Sequence, residues 1–205
     1  MLSVGDDAER IGIVILAACG SHRMGQPKQL LPFRERTLLR HAVETAVASL
    51  CRPILVVIGA RAELVSAELQ SLPVMVAYNP EWGSGIGSSL RVAIRALDPV
   101  DDIDGIVITL SDPPLVTTDA LNRIVEAHHG TGKDIVASEY ADTYGVPLFI
   151  GKRFFAEVAA LDGDEDPKRV IDRHLEEMTT VPLVDAAFDI DTPDEYERLT
   201  RSNRR

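Results

Sequence analysis

The chain contains 205 residues, 45% of them hydrophobic, which is enough to bury one sizeable core, so we expect a single domain over residues 1–205. Its formal net charge of −11 argues against binding to nucleic acid or to an anionic membrane surface, although a local basic pocket can still hold a phosphate. Residues 1–10 are polar and acidic, and no apolar run reaches the roughly 18 residues that span a bilayer, so we expect a cytoplasmic protein without membrane contact.

Apolar runs typical of buried strands alternate along the chain with segments of helical periodicity. Strands are predicted at residues 11–17, 54–58, 74–77, 106–110 and 134–138, and helices at residues 38–50, 62–70, 88–97 and 118–129. This alternation predicts a Rossmann-like α/β fold whose mostly parallel sheet is covered by helices on both faces. Catalytic residues are then expected at the carboxyl ends of the strands.

The regular alternation of strands and helices ends after residue 138, which predicts a short antiparallel addition to the sheet near the C-terminal third. A strand is expected at residues 145–151, a helix at 152–161, a returning strand at 181–190 and a last helix from Pro193. Residues 162–166 are acidic and are expected to form a surface loop. The segments 1–10 and 201–205 are expected to be frayed tails.

The most informative motif is the loop of small residues that follows the first predicted strand. Small side chains let backbone amides approach a polyphosphate, and Arg23 and Lys28 add positive charge that can stabilise a departing pyrophosphate. The spacing matches neither a Walker loop nor a dinucleotide-binding fingerprint. The residues expected to contact a nucleotide here are Leu16, Ala17, Ala18, Cys19, Gly20 and Ser21.

Two acidic segments, at or just after the ends of predicted strands, have both a functional and a structural interpretation. Asp112 follows the strand at 106–110 and is well placed to hold Mg²⁺, but an aspartate before a proline is also a common turn residue. Asp189 and Asp191 precede Pro193, where helix capping and turn formation are ordinary roles. The five histidines show no metalloprotease spacing and are interpreted as surface or helix-end residues.

These motifs resemble molybdenum cofactor cytidylyltransferase-like proteins of the MobA-like nucleotidyltransferase family. The family loop reads Leu-Ala-Ala/Gly-Gly-x-Ser/Gly-x-Arg-Met/Phe-Gly-x-x-Lys, and residues 16–28 match it except at Cys19. The Asp-Ile-Asp-Thr-Pro segment at 189–193 is also similar to the family's closing motif. The segment 79–90 resembles the family's Asn-x-x-Trp-x-x-Gly-Met-x-x-Ser-Leu, which implies base and ribose contacts. The candidate residues in it are Asn79, Gly85, Ser88 and Ser89.

The resemblance implies a Mg²⁺-dependent transfer of CMP from CTP to a phosphorylated acceptor, with molybdopterin as the favoured acceptor and pyrophosphate as the by-product. Lys28 and Arg23 would stabilise charge, while Asp112 and Asp191 would hold the metal ion. The product would be a cytosine dinucleotide cofactor for a molybdenum hydroxylase client.

Three departures from the family pattern leave alternatives open. Cys19 replaces a glycine, Pro113 replaces a glutamine after the metal-binding aspartate, and Val146 replaces a histidine on the acceptor side. A side chain at position 19 strains the backbone, crowds the nucleotide, or packs as a small apolar residue. The alternatives are a transferase for another nucleotide or phosphorylated acceptor, a nicotinamide-dependent reductase of the same fold, and a non-catalytic cofactor-binding protein.

Overall fold

The computed structural model of the protein describes residues 9–202, so most of the two predicted tails, residues 1–8 and 203–205, lies outside the described residues. In this range the strands, in chain order, are β1 (Ile11–Ala17), β2 (Pro32–Phe33), β3 (Arg36–Thr37), β4 (Ile54–Ile58), β5 (Met75–Tyr78), β6 (Gly105–Leu110), β7 (Ile135–Tyr140), β8 (Thr143–Gly151) and β9 (Met178–Pro182). The α-helices are α1 (Leu38–Val47), α2 (Ala62–Ala67), α3 (Ile86–Leu97), α4 (Thr118–Thr131), α5 (Phe155–Ala159), α6 (Lys168–Arg173) and α7 (Pro193–Ser202).

Seven of the strands form one sheet in the order β5-β4-β1-β6-β8-β7-β9. Neighbouring strands run parallel except around β8, which is antiparallel to both β6 and β7. The predicted α/β fold with a mostly parallel sheet is therefore confirmed, and the antiparallel addition is present. The antiparallel strand β8 lies inside the sheet, between β6 and β7, which both run in the opposite direction to it.

Alternating side chains of the central strands fill two separate cores, one on each face of the sheet. In β1, Ile13 and Ile15 point to the face covered by α1, α2 and α4, whereas Val14 and Leu16 point to the face covered by α3, α5 and α6. The strand is buried on both sides, which explains its continuous apolar sequence. Because these strands are parallel and packed by helices on both faces, the carboxyl ends of β1, β4, β5 and β6 lie along the same edge of the sheet.

Several predicted element boundaries are corrected by the structure. The returning strand at 181–190 is wrong, since β9 ends at Pro182 and residues Val184–Ala187 form a 3-10 helix. Proline lacks an N–H donor, so it is suited to the end of this edge strand rather than to its interior. The helix expected at 152–161 begins as a 3-10 turn, Lys152–Phe154, and α5 covers only five residues.

Smaller differences concern short elements. The helix expected at 62–70 ends at Ala67, and the strand expected at 74–77 is displaced by one residue to Met75–Tyr78. The hairpin of β2 and β3 and the helix α6 were not predicted, because each has only two to six residues. Too few residues are involved for a periodic pattern to appear. Between β7 and β8 the chain turns through Ala141 and Asp142, which both have positive φ angles, as a tight hairpin turn requires.

Candidate active site

A cavity of about 360 Å³ opens at the carboxyl ends of β1 and β6. Its walls come from the loop after β1, the start of α3, the end of β6 and the loop around Asp164. Such an edge is where open parallel sheets bind their ligands. The predicted site residues that line it are Leu16, Ala18, Cys19, Gly20, Lys28, Gly85, Ser89 and Asp112.

Lys28 joins two acidic residues that are far apart in the sequence. Its ammonium group contacts the carboxylate of Asp112 and donates a hydrogen bond to Asp191 Oδ1 at 2.9 Å. The side chains of Lys28 and Asp112 are 10% and 5% exposed, so this contact is nearly closed to water. Arg23 is largely exposed and donates to the other oxygen of Asp191 at 2.7 Å. The two predicted cations and the two predicted metal ligands therefore meet in one cluster.

Burial and charge act in opposite directions on the protonation of this cluster. Burial by itself would lower the pKa of Lys28, but the carboxylates of Asp112 and Asp191 outweigh it and raise that pKa. Burial also opposes ionisation of Asp191, yet the hydrogen bonds and charges of Lys28 and Arg23 lower its pKa. Burial raises the pKa of Asp112, while the Lys28 ammonium works against this rise. The ammonium of Lys28 is thus held firmly in its charged form.

The structure assigns the capping of α7 to residues other than Asp191. The carboxylate of Glu195 accepts hydrogen bonds from the backbone amides of Asp191 and Thr192, at 2.9 and 2.8 Å. Thr192 Oγ1 accepts from the amide of Glu195 at 3.4 Å, which completes a reciprocal cap. Because these two residues satisfy the helix start, the carboxylate of Asp191 is directed toward Lys28.

The loop after β1 is shaped by Gln29, which the sequence interpretation did not single out. Its side-chain amide is buried and donates to the carbonyls of Ala17 and Cys19 at 2.9 and 2.7 Å. Ser21 Oγ accepts from the amide of Lys28 at 3.0 Å, which ties the two ends of the loop together. The signal that could have identified Gln29 is its place directly after Lys28 in the motif. Ala17 itself ends β1 and faces the core rather than the cavity.

Cys19 lies in an unstrained part of this loop. The residue with a positive φ angle is Ser21, at 54°. Cys19 is exposed and lines the cavity, so its thiol does not pack in the core. The expectation of backbone strain at position 19 is wrong, and so is the expectation that Cys19 packs as an apolar residue. Its side chain instead occupies space at the cavity wall.

Asn79 and Ser88 are buried and shape the glycine-rich segment from within. The amide of Asn79 donates to Ser88 Oγ at 2.8 Å and to Ser89 Oγ at 2.9 Å, and its carbonyl accepts from the amide of Glu81. Neither Asn79 nor Ser88 lines the cavity, whereas Ser89 does. Asn79 therefore holds Ser88 and Ser89 in position from within, and direct contacts of Asn79 and Ser88 with a base or ribose stay a prediction.

The acidic loop at 162–166 is a surface loop, as predicted, and its residue Asp164 also lines the cavity. Gly85 has a φ of 114°, and a Cβ atom there would lie 2.3 Å from the carbonyl oxygen of Gly163. Arg91 donates to the carbonyl of Leu161 at 3.0 Å and so anchors the loop to α3. This packing brings Asp164 to the cavity.

Asp189 joins Asp112 and Asp191 in a carboxylate cluster. One oxygen from each lies within 4.8 Å of the others. Carboxylate oxygens are the donors that hard cations such as Mg²⁺ and Mn²⁺ prefer, and the cluster already holds the ammonium of Lys28. The donor set therefore fits a divalent cation. The sequence interpretation selected two of the three acids, because the resemblance implies the second aspartate of the Asp-Ile-Asp segment as the ligand.

A second, more open hollow of about 900 Å³ adjoins the first. Both are lined by Gly20 and Trp82, so the loop after β1 separates two neighbouring binding spaces. Arg61 and Tyr78 border the second hollow, as does Ser21. Trp82 packs against Gly59, where an added Cβ would lie 2.6 Å from Trp82 Cβ.

Comparison with known proteins places this geometry in a family. The model of the MobA-like NTP transferase domain matches residues 13–178. The chain is a member of the MobA-like NTP transferase family. This MobA-like transferase is therefore a nucleotidyltransferase, in agreement with the resemblance found in its motifs. Among the described residues, no helix is long and apolar enough to cross a membrane.

Several relatives of this MobA-like transferase cover nearly its whole length. The crystal structure of Rv0371c from Mycobacterium tuberculosis H37Rv is 32% identical, with a TM-score of 0.81 over 95% of this chain and 98% of that one. A manganese complex of Rv0371c has a TM-score of 0.75 at 31% identity, over 94% and 99% of the two chains. Nicotine blue oxidoreductase of Paenarthrobacter nicotinovorans is 29% identical over 91% of this chain and 94% of its own. The molybdenum cofactor cytidylyltransferase of Escherichia coli K12 is 24% identical over 91% and 93%.

Proposed function

We propose that this nucleotidyltransferase transfers CMP from CTP to a phosphorylated acceptor of the molybdopterin type and releases pyrophosphate. The observation that carries the proposal is the convergence of Lys28, Asp112 and Asp191 beside a loop of small residues at the cavity. The likeness to the cytidylyltransferase of Escherichia coli supports the choice of base and acceptor.

In this reaction a phosphate oxygen of the acceptor attacks the α-phosphorus of CTP in line. A new phosphoanhydride bond forms, the bond to the β-phosphate breaks, and pyrophosphate leaves with the negative charge. Lys28 and Arg23 neutralise that charge, which in a site with little water contributes several kcal/mol. Two adjoining cavities on either side of the loop after β1 support this proposal, since each could receive one of the two substrates.

Asp112, Asp189 and Asp191 would hold Mg²⁺, which polarises the phosphate oxygens when bound. Magnesium usually keeps several water ligands and takes one or two protein carboxylates. The proposal therefore needs Asp112 and Asp191 to bind the cation as well as Lys28. With the cation bound, the ammonium of Lys28 contacts these carboxylates less and can also contact phosphate oxygens.

The test is incubation of the protein with molybdopterin, Mg²⁺ and each of the four ribonucleoside triphosphates in turn, with pyrophosphate as the readout. We expect release with CTP and much slower release with the other three. Asp112→Asn should abolish release, whereas Asp98→Asn, at an exposed position, should leave it unchanged. Release with another nucleotide, or with a sugar phosphate instead of molybdopterin, would replace the proposed substrates.

A nicotinamide-dependent reductase is the second candidate, favoured by the likeness to nicotine blue oxidoreductase. The two functions differ in their products. A reductase would oxidise NADPH in the presence of a conjugated pigment and release no pyrophosphate. Oxidation of NADPH without any pyrophosphate from the four triphosphates would favour this candidate over the transferase.

A further inference from the structure

A second cluster of ligating side chains lies at the opposite end of β1 from the cavity. Glu9 lies two residues before β1, and His128 and His129 lie in the last turns of α4. His128 Nε2 is 3.1 Å from Glu9 Oε2, and His129 Nε2 is 3.2 Å from the same oxygen. The three groups offer one ligand atom each, all within 4.8 Å of one another. His128 is at a helix end, as its position in the sequence indicates, but it is buried.

The hydrogen bond of His128 to a backbone carbonyl determines which of its two ring nitrogens carries a lone pair in the neutral ring. Its Nδ1 lies 2.8 Å from the carbonyl oxygen of Lys133, and a carbonyl can only accept. In the neutral ring Nδ1 therefore carries the hydrogen, and Nε2 presents a lone pair to a carboxylate oxygen 3.1 Å away. Two acceptors at this distance need either a proton or a metal cation between them. The hydrogen bond from Nδ1 to a backbone carbonyl is also the usual support of a metal-bound histidine.

Nearby basic groups are engaged elsewhere. The ammonium of Lys133 donates to the carbonyl of Glu176 at 2.6 Å, and the guanidinium of Arg10 donates to the carbonyl of Asp101 at 3.2 Å. In the described part of the chain, the ion-pair partners recorded for Glu9 are the two imidazoles. The charge of Glu9 is therefore directed at the histidine nitrogens.

The spacing of the three groups suits a tetrahedral metal ion. Zinc binds histidine nitrogen and carboxylate oxygen at about 2.0–2.1 Å, so two ligands of a tetrahedron lie about 3.3 Å apart. The two distances to Glu9 Oε2, 3.1 and 3.2 Å, are close to that value. The ring of Phe149, 4.1 Å from that of His128 between centroids, covers one side of the cluster. Two imidazoles and one carboxylate suit Zn²⁺ or Co²⁺ better than Mg²⁺, which prefers oxygen ligands.

We propose that Glu9, His128 and His129 bind one zinc-class divalent cation, with water in the fourth position. This site is separate from the nucleotide cavity and does not depend on the proposed function. Bound metal would connect the segment before β1 to the end of α4, and it would stabilise the folded chain by mass action.

The experiment titrates the whole, metal-stripped protein with Co²⁺ and then displaces Co²⁺ with Zn²⁺, in excess Mg²⁺ so that the carboxylate cluster is filled. We expect one ion per chain, visible absorption typical of tetrahedral Co²⁺, and a Zn²⁺-dependent rise in Tm. His129→Ala and Glu9→Gln change exposed side chains and should weaken binding by more than about 100-fold, beyond the usual effect of losing an outer partner.

His174→Ala is the matched control, because His174 pairs with Glu157 at 2.8 Å without a second imidazole, and its affinity for Zn²⁺ should equal that of the unchanged protein. Equal Zn²⁺ affinity in His129→Ala and the unchanged protein would overturn the site, as would the absence of the Co²⁺ absorption. The latter result would mean that only a proton links Glu9 to the histidines. Pyrophosphate release should be the same in His129→Ala and the unchanged protein, which separates this test from that of the proposed function.

Discussion

The ammonium of Lys28 contacts the carboxylate of Asp112 at the base of the cavity, 84 residues away in the sequence. Asp112 lies two residues after the end of β6. Lys28 begins the 3-10 turn Lys28–Leu30, which follows the loop after β1. The contact positions a cation at the wall of the cavity. It also forms a nearly buried ion pair, in which each charge is balanced by the other.

Replacement of Lys28 by methionine should destabilise the protein and stop pyrophosphate release. Asp112 would keep a buried charge without its partner, which typically costs about 3 kcal/mol or more. Loss of a charge-stabilising group should lower the rate by at least about 100-fold. Urea unfolding and pyrophosphate assays measure the two effects.

Added Mg²⁺ should recover part of the stability of Lys28→Met, because it replaces the lost positive charge among the carboxylates. Arg23→Met is the control for stability, since the side chain of Arg23 is 70% exposed and a surface ion pair contributes roughly 0–1 kcal/mol. A Lys28→Met protein as stable as the unchanged one in the absence of Mg²⁺ would contradict this account.

Gly85→Ala should destabilise the protein by at least about 2 kcal/mol. The substitution adds strain at a φ of 114° and places a Cβ atom against the carbonyl of Gly163. Gly83→Ala is a close control in the same loop, because an added Cβ there meets nothing within 4 Å. Chemical unfolding of both variants decides the matter, and equal losses would show that the close approach does not matter.

Iodoacetamide should modify Cys19 much faster than Cys51. Cys19 is exposed at the cavity, whereas burial raises the pKa of the Cys51 thiol to about 11. Mass spectrometry over time should show one fast modification that CTP slows, and Cys19→Ser should remove the fast step. Faster modification of Cys51 would contradict the assigned exposure of the two thiols, and no protection by any nucleoside triphosphate would place the nucleotide away from position 19.

His41 should make the protein less stable in mildly acidic solution. Burial lowers the pKa of His41 below its ordinary value of 6.5, and the charges of Arg34 and Arg36 add to this effect against the hydrogen bond to the carbonyl of Pro114. Below pH 6.5 the unfolded chain therefore binds more protons at this position than the folded one, and stability falls as the pH falls. The loss continues until the pH lies below the lowered folded pKa.

The free energy of unfolding of His41→Gln should depend less on pH than that of the unchanged protein between pH 7.5 and pH 5, two values chosen to bracket the ordinary pKa of 6.5. All other titrating groups are common to the two proteins, so the difference between the two curves isolates His41. Parallel curves would show that protonation of His41 is not linked to folding.

The sequence was sufficient to predict the fold class, and the family resemblance pointed to Lys28, Asp112 and Asp191 as members of one site. Long apolar strands are visible in the pattern of residues, and parallel strands place their carboxyl ends at one edge whatever their separation along the chain. Gln29 and the positioning role of Asn79 could not be predicted in this way. Their partners are backbone carbonyls and buried hydroxyl groups whose proximity depends on the folded loops.

The acidic loop at 162–166 shows the same limit. Its composition is typical of an exposed turn, and only the approach of Gly163 to Gly85 makes it a wall of the cavity. Short elements such as α6 were missed because six residues contain fewer than two helical turns.

The reversed direction of β8 determines where this protein can tolerate change. Because β8 pairs with both β6 and β7, its tight turn at residues 141–142 projects from the edge of the sheet that carries the cavity. Extra residues inserted in that turn would extend past the rim and leave every strand in its present alignment. Insertions at this turn can therefore lengthen the outer rim of the sheet while the residues that line the cavity keep their places.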